Sequence, residues 1–193
     1  MIENMNSLAQ HLIIIIDTET GGLDPLTHSI LSIGVVSWDG QHREEIFILE
    51  PHLSTNPRSM AVNQIDLDQL KQEGCTPREA CDRLEAFVNR ISGGQPIIFA
   101  GHNIAFDLAF IRRLYQVSQR PLPTSFSHRS LDTHTLLWTL ATLGDIPRSA
   151  CSSDGAFRHF NVAPPERLRH TALGDALATR ELLLAILTLL DDR

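Results

Sequence analysis

The sequence predicts a mixed α/β domain. Three β-rich runs come first, arranged as an antiparallel meander, and strands then alternate with helices, an order that builds a sheet covered by helices on both faces. The size agrees: 193 residues, 42% of them apolar, bury roughly 70% of the surface an unfolded chain exposes, so one core suffices without disulfides. No linker is long enough to divide the chain, and the expected organisation is a short polar leader over 1–10 and a single domain over 11–193.

Leu12 to Ile16 reads as a buried strand, because β-branched runs of this length suit a sheet interior, and Asp17 is placed at its end. Ser29 to Trp38 and Arg43 to Glu50 are two further strands, joined by Asp39-Gly40, whose second residue tolerates positive φ. Short helices are expected near Ser59 to Asn63 and Leu67 to Gln72. Thr76-Pro77-Arg78-Glu79 then places a capping hydroxyl, a first-turn proline and a reciprocal glutamate ahead of an amphipathic helix that ends at Gly93-Gly94. Pro96 to Ala100 is the fourth strand, followed by a helix over Ile104 to Val117, and a fifth strand near Arg129 to Leu131 leads into a helix over Thr133 to Leu143. A helix near Ser149 to Phe160 and a long Leu-rich helix from about Ala172 to Leu190 complete the chain; the latter's wide apolar arc reads as core rather than dimer interface.

Composition narrows the function. The longest aliphatic run, Leu12 to Ile16, is far below the roughly 20 residues that span a bilayer, and a cytoplasmic protein is expected. Cys75, Cys81 and Cys151 are odd in number and lie outside any C-x-x-C pattern, which predicts reduced thiols rather than a disulfide framework or zinc ribbon. Sixteen basic against 23 acidic residues, a net charge of −7, make the chain a poor candidate for coating long duplex DNA.

The chemistry gathers in three places. Asp17 and Glu19 are two apart, so the strand period aims both carboxylates at one side of the sheet. Such a pair suits a hard divalent cation, although a polar loop after a strand is the plainer reading. In Gly101-His102-Asn103-Ile104-Ala105-Phe106-Asp107 a strand gives way to a helix; Asn103 and Asp107 share one helical face, and dipole stabilisation and capping are the plain alternatives for Asp107, His102 and Asn103. His170 precedes Asp175 by five, which places it on the loop before the last helix, where it either swings toward a substrate or sits exposed.

Together the motifs Asp17-Thr18-Glu19-Thr20, His102-Asn103 with Asp107, and His170 with Asp175 resemble the DEDD superfamily of 3′-to-5′ exonucleases, over nearly the whole chain from Ile13 to about Leu190. With His five residues before Asp175, and Thr171 rather than Tyr four before it, the chain looks like the DEDDh branch, which includes ribonuclease T and the proofreading subunit of bacterial DNA polymerase III. The resemblance implies a ribonuclease H-like fold with a central mixed five-stranded sheet, a single exonuclease domain, and two Mg²⁺ or Mn²⁺ per active site.

It further implies that Asp17 bridges the metals, Glu19 and Asp175 complete the first site, Asp107 holds the second, and His170 is the general base that removes a proton from the attacking water. Thr20, Gly21 and Leu23 would border the 3′-terminal nucleotide, with Leu23 wedged near its base, unless Leu23 tucks onto the core. His102 and Asn103 would lie near the scissile region. Ala61 to Asp66 is similar to the family's small helix beside the cleft, with Gln64 where the family has Gly, and Asp132 matches a recurring acidic position read here as structural.

The expected activity is hydrolysis of single-stranded DNA or RNA from the 3′ end to nucleoside 5′-monophosphates, with a polymerase or a second copy of the chain as possible partners. The competing readings are a catalytically silent nucleic-acid-binding or polymerase-docking module of the same fold, and a hydrolase of very short oligonucleotides. Two divalent cations would bring the charge of −7 to about −3, which leaves room for a short grip on a few terminal nucleotides.

Overall fold

Isoleucine at four successive positions stiffens the backbone into extended form and is greasy on both faces, which places such a strand at the centre of a sheet. The computed structural model, which describes residues 12–63, 65–165, 168 and 171–191, has it there. Five strands, β1 (Ile13–Thr20), β2 (Ile30–Ser37), β3 (Arg43–Phe47), β4 (Ile97–Gly101) and β5 (Phe126–Asp132), form one sheet in the order β3-β2-β1-β4-β5. The first three run antiparallel as the expected meander, while β4 and β5 join parallel to β1. The turn between β2 and β3 has Gly40 at φ 74°, as its sequence demands.

The helices are α1 (Pro57–Asn63), α2 (Leu67–Glu73), α3 (Pro77–Ser92), α4 (Ile104–Val117), α5 (Thr133–Leu143), α6 (Ser153–His159) and α7 (Ala172–Asp191). Thr76 and Glu79 close the capping box of α3 from both sides, and Gly93 ends it in the left-handed conformation. Alternation along β1 divides the core. Ile14 and Ile16 pack with Phe87 of α3 and Phe110 and Leu114 of α4 on one face; Ile13 and Ile15 pack with Ala176 and Leu183 of α7 on the other. Leu182 and Ile186 of α7 also meet Leu137 and Leu140 of α5, which accounts for most of its apolar arc as core.

Three expectations are corrected. The first strand runs four residues past Ile16, because β2 continues to pair with it as far as Thr20; Asp17 and Glu19 therefore lie inside a strand and not in a loop. The third strand stops at Phe47, where Ile48 turns to bridge Cys75. The segment read as one helix near Ser149 to Phe160 is a 3₁₀ turn, Arg148–Cys151, followed by α6, because the Ser152 side chain caps a new helix at the Gly155 N–H. The leader over 1–10, Gln64 and His170 lie outside the described residues. Cys75, Cys81 and Cys151 are free thiols. Among the described residues no helix is long and apolar enough to cross a membrane.

One contact fixes the last helix. Gly34 of β2 lies under the start of α7, and a Cβ there would sit 2.2 Å from the Ala172 carbonyl and 2.3 Å from the Leu173 nitrogen. Gly34→Ala forces backbone to move, and we expect it to cost about 1–3 kcal/mol, seen as a lower urea midpoint with an unchanged slope; a midpoint equal to wild type would show that α7 adjusts freely.

Candidate active site

Asp17 and Glu19 continue the α7-facing side of β1 begun by Ile13 and Ile15, so the strand period hands both carboxylates to the helix that Gly34 admits. Asp175 sits in the first turn of that helix. One carboxylate oxygen from each of Asp17, Glu19 and Asp175 falls within 4.8 Å of the others. Asp107, in the first turn of α4 and 3% exposed, reaches the same place from the opposite face, where the Thr18 hydroxyl donates to its Oδ1 at 2.8 Å. The predicted carboxylates thus converge from β1, α4 and α7.

Their electrostatics are unfavourable as they stand. Burial, and then the charges of Asp107, Asp175, Glu19 and Glu45, hold the Asp17 carboxyl well above the ordinary carboxylate range. Burial followed by Asp175, Glu45 and Asp107 pushes Glu19 up to about 8. Burial raises Asp107 to about 7 despite the opposing hydrogen bond from Thr18. Asp17, Glu19 and Asp107, which resist ionisation, need either protons or a compensating cation. Hard carboxylate oxygens in a cluster of this size form a donor set for a divalent metal, and the fit rests on the uncompensated repulsion as much as on the spacing.

Glu45 was not singled out by sequence. It pairs across β2 with Gly34, which in turn pairs with Asp17, so it joins the cluster from behind the start of α7. Burial raises its pKa, and the Leu173 and Ala172 amides and the Thr171 hydroxyl oppose the shift. The available signal was Gly34 itself, the one gap in a bulky strand.

The other predicted residues separate into those that face the cleft and those that shape it. An open cleft of about 680 Å³ is lined by Asp17, Asp175 and His102 on one side and by Phe157, Arg158 and Val162 on the other. The His102 Nδ1 lies 3.1 Å from the Thr133 hydroxyl, and burial lowers the His102 pKa. Asn103 adopts φ 58° before α4 and makes no capping bond with its side chain, so its expected place on a shared helical face with Asp107 is not realised. Asp132 explains that turn: its Oδ1 accepts the Asn103 N–H at 2.8 Å and the His134 N–H, and its Oδ2 accepts the Thr135 hydroxyl. The structural reading of Asp132 accords with these bonds.

At the end of β1 the Thr20 hydroxyl donates to the Gly22 carbonyl, and Gly21 is held between Ser29 and Asn56 by backbone bonds. Asn63, 4% exposed, donates to the Thr20 carbonyl and joins α1 to the same loop. Leu23 is 78% exposed, which removes the option that it tucks onto the core. His170 lies outside the described residues; its neighbour Thr171 donates to the Leu168 carbonyl and accepts the Gly174 N–H, capping α7.

The raised pKa values make a stability prediction. Between the ordinary glutamate value of 4.5 and about 8 the folded chain holds a proton on Glu19 that the unfolded chain has lost. The native state therefore binds more protons in that window, and metal-free stability falls as pH rises through it. In EDTA we expect the thermal midpoint to drop by several degrees from pH 5 to pH 8, Glu19→Gln to flatten that slope, and added Mn²⁺ to recover most at the alkaline end. A wild-type slope equal to that of Glu19→Gln in calorimetry would refute it.

Comparison with known proteins places this geometry. A family model described as exonuclease, RNase T, matches residues 14–183. The 3′-5′ DNA exonuclease Cap18 of Escherichia coli is 26% identical over 110 residues, 56% of this chain and 59% of that protein. E. coli exonuclease I, solved in complex with a dT13 oligonucleotide, superposes with a TM-score of 0.75 at 15% identity over 93% of this chain and 41% of its own. The nuclease domain of 3′hExo, a DEDDh family member bound to rAMP, gives 0.71 at 14% identity with 91% of both chains covered. The chain thus spans about three fifths of Cap18 and two fifths of exonuclease I, and the fold shared with these nucleases is the ribonuclease H-like one that the motifs implied. With that fold, acidic residues from the central strand and the first turns of α4 and α7 brought together at one site, and a model match over most of its length, the chain belongs to the RNase T exonuclease family.

Proposed function

We propose that the chain is a divalent-metal-dependent 3′-to-5′ exonuclease that shortens single-stranded DNA or RNA and releases nucleoside 5′-monophosphates. The observation that carries this reading is the convergence of Asp17, Glu19 and Asp175 within 4.8 Å, with Asp107 close to Asp17, where Asp17 and Asp175 line an open cleft. Asp17, Glu19, Asp107 and Asp175 hold two cations, Mg²⁺ or Mn²⁺. Bound there, the cations supply Lewis acidity that acidifies water and neutralises charge on phosphoryl oxygens.

The protein's own part is positioning and proton transfer. Asp17 and Glu19 are fixed by the central strand, and Thr18 orients Asp107. His170 takes the proton from the attacking water, a task suited to histidine because its unperturbed pKa lies near neutrality. Leu23 stands exposed beside the site, free to pack on the terminal base, while Thr20 and Gly21 form the loop wall against its sugar. His102, in the cleft wall, and Asn103, exposed at the start of α4, lie near the scissile phosphate. Cap18 and exonuclease I support a DNA end and rAMP-bound 3′hExo a ribonucleotide one. The three free thiols support a cytoplasmic location.

A 5′-labelled oligonucleotide incubated with the protein and Mg²⁺ should give a ladder receding from the 3′ end; intact DNA and RNA with both Mg²⁺ and Mn²⁺ would end the proposal. His170→Ala should lower kcat by about 10²–10⁴-fold while calorimetry still shows Mn²⁺ binding. Wild-type turnover in that variant would remove His170 from the mechanism.

A further inference from the structure

A strip of aromatic and cationic side chains leads away from the carboxylates along α5. His102, in the cleft wall with Asp17 and Asp175, meets His134 with ring centroids 5.3 Å apart. His134 and Trp138 are four apart on one face of α5, and the Trp138 indole N–H donates to the His134 Nε2 at 2.9 Å, which fixes the orientation of the indole. Trp138 is nevertheless 43% exposed. The Arg148 guanidinium lies 5.7 Å from the centre of its ring.

The charge pattern is the second observation. Arg148 and Arg158 are among the arginines without an ion pair among the described residues, as are Arg43, Arg58, Arg78, Arg112 and Arg129, but only Arg148 lies against the exposed indole and only Arg158 lines the cleft. Arg158 of α6 lines the cleft wall together with Asp154, and Arg148 lies in the 3₁₀ turn just before that helix, outside the cleft lining. An orientated, exposed indole with the Arg148 guanidinium against its ring, together with Arg158 in the cleft lining, matches the requirements of a single strand: a flat face for a base and cations for its phosphates.

We propose that this strip binds the single strand upstream of the scissile bond, one base stacking on Trp138 and the backbone phosphates meeting Arg148 and Arg158. The inference rests on the exonuclease reading for the direction of the strand, and it adds a subsite that gives preference for longer substrates over dinucleotides. His134 acts as a positioning residue for the indole.

The test is length dependence. With Mn²⁺, Trp138→Ala should raise KM for dT8 roughly tenfold, the scale of one lost base stack, and leave dT2 unchanged, while Trp138→Phe restores most of the loss. Arg148→Ala and Arg158→Ala should each reduce the dependence of dT8 binding on salt. In a Trp38→Phe background Trp138 is the sole tryptophan, and dT8 should quench its fluorescence where dT2 does not. Equal losses on dT2 and dT8, no loss on either, or a defect seen only with a protein partner present would overturn the proposal. Quenching by dT8 without hydrolysis of any oligonucleotide would sink the nuclease reading and leave this subsite standing.

Discussion

Repulsion among carboxylates is the constraint around which this molecule is arranged. Asp17, Glu19, Asp107 and Asp175 are drawn together at the end of one strand, with Glu45 close behind; burial and the charges of the other acids raise the pKa of Asp17 and Glu19, and burial above all raises that of Asp107. Nothing local favours that gathering. It is imposed by contacts made elsewhere: the isoleucines that anchor β1 between two layers of helix, the Thr18 hydroxyl that holds Asp107, and the bare backbone of Gly34 that lets α7 descend onto the sheet. Stability gathered in the core is offset at the site, as expected where charge is kept for chemistry.

A second buried acid shows what the same fold does with a charge it means to neutralise. Glu50, 4% exposed, accepts hydrogen bonds from the Ser29 hydroxyl, the Ile30 N–H and two nitrogens of Arg113, which also donates to the Pro25 carbonyl. Together these bonds link the segment after β3, the start of β2 and the loop after β1 to α4, and breaking such a buried pair from one side commonly costs about 3–5 kcal/mol. Glu50 with Arg113 braces the loop that bears Leu23, whereas Asp17 and Asp175 line the open cleft.

Much of this was legible in the sequence because it is local. The Thr76 capping box, the helix over Ile104 to Val117 and the shared side of Asp17 and Glu19 follow from spacing alone, and the structure reproduces each. What escaped depends on distant partners. The first strand outlasts its apolar run only because β2 keeps pairing with it, and Glu45 looks like a surface residue in Arg-Glu-Glu-Ile-Phe until α7 arrives above Gly34. Ser152 divides a predicted helix because its side chain caps the second half, a choice that the apolar pattern on either side does not reveal.

The net charge of −7 takes on a different meaning once its distribution is known. Uncompensated, the clustered acids repel a phosphodiester, whereas in the proposed subsite Trp138, Arg148 and Arg158 would attract bases and phosphates from outside that cluster. Grip and chemistry are thereby assigned to different surfaces. On the proposed reading, a strand held only by that subsite would be bound and uncut, and admission of its 3′ end to the acids would require the same charge compensation that the hydrolysis requires. An acidic chain can in this way discriminate against duplex, whose paired bases cannot stack on an indole, while retaining a single strand through few contacts.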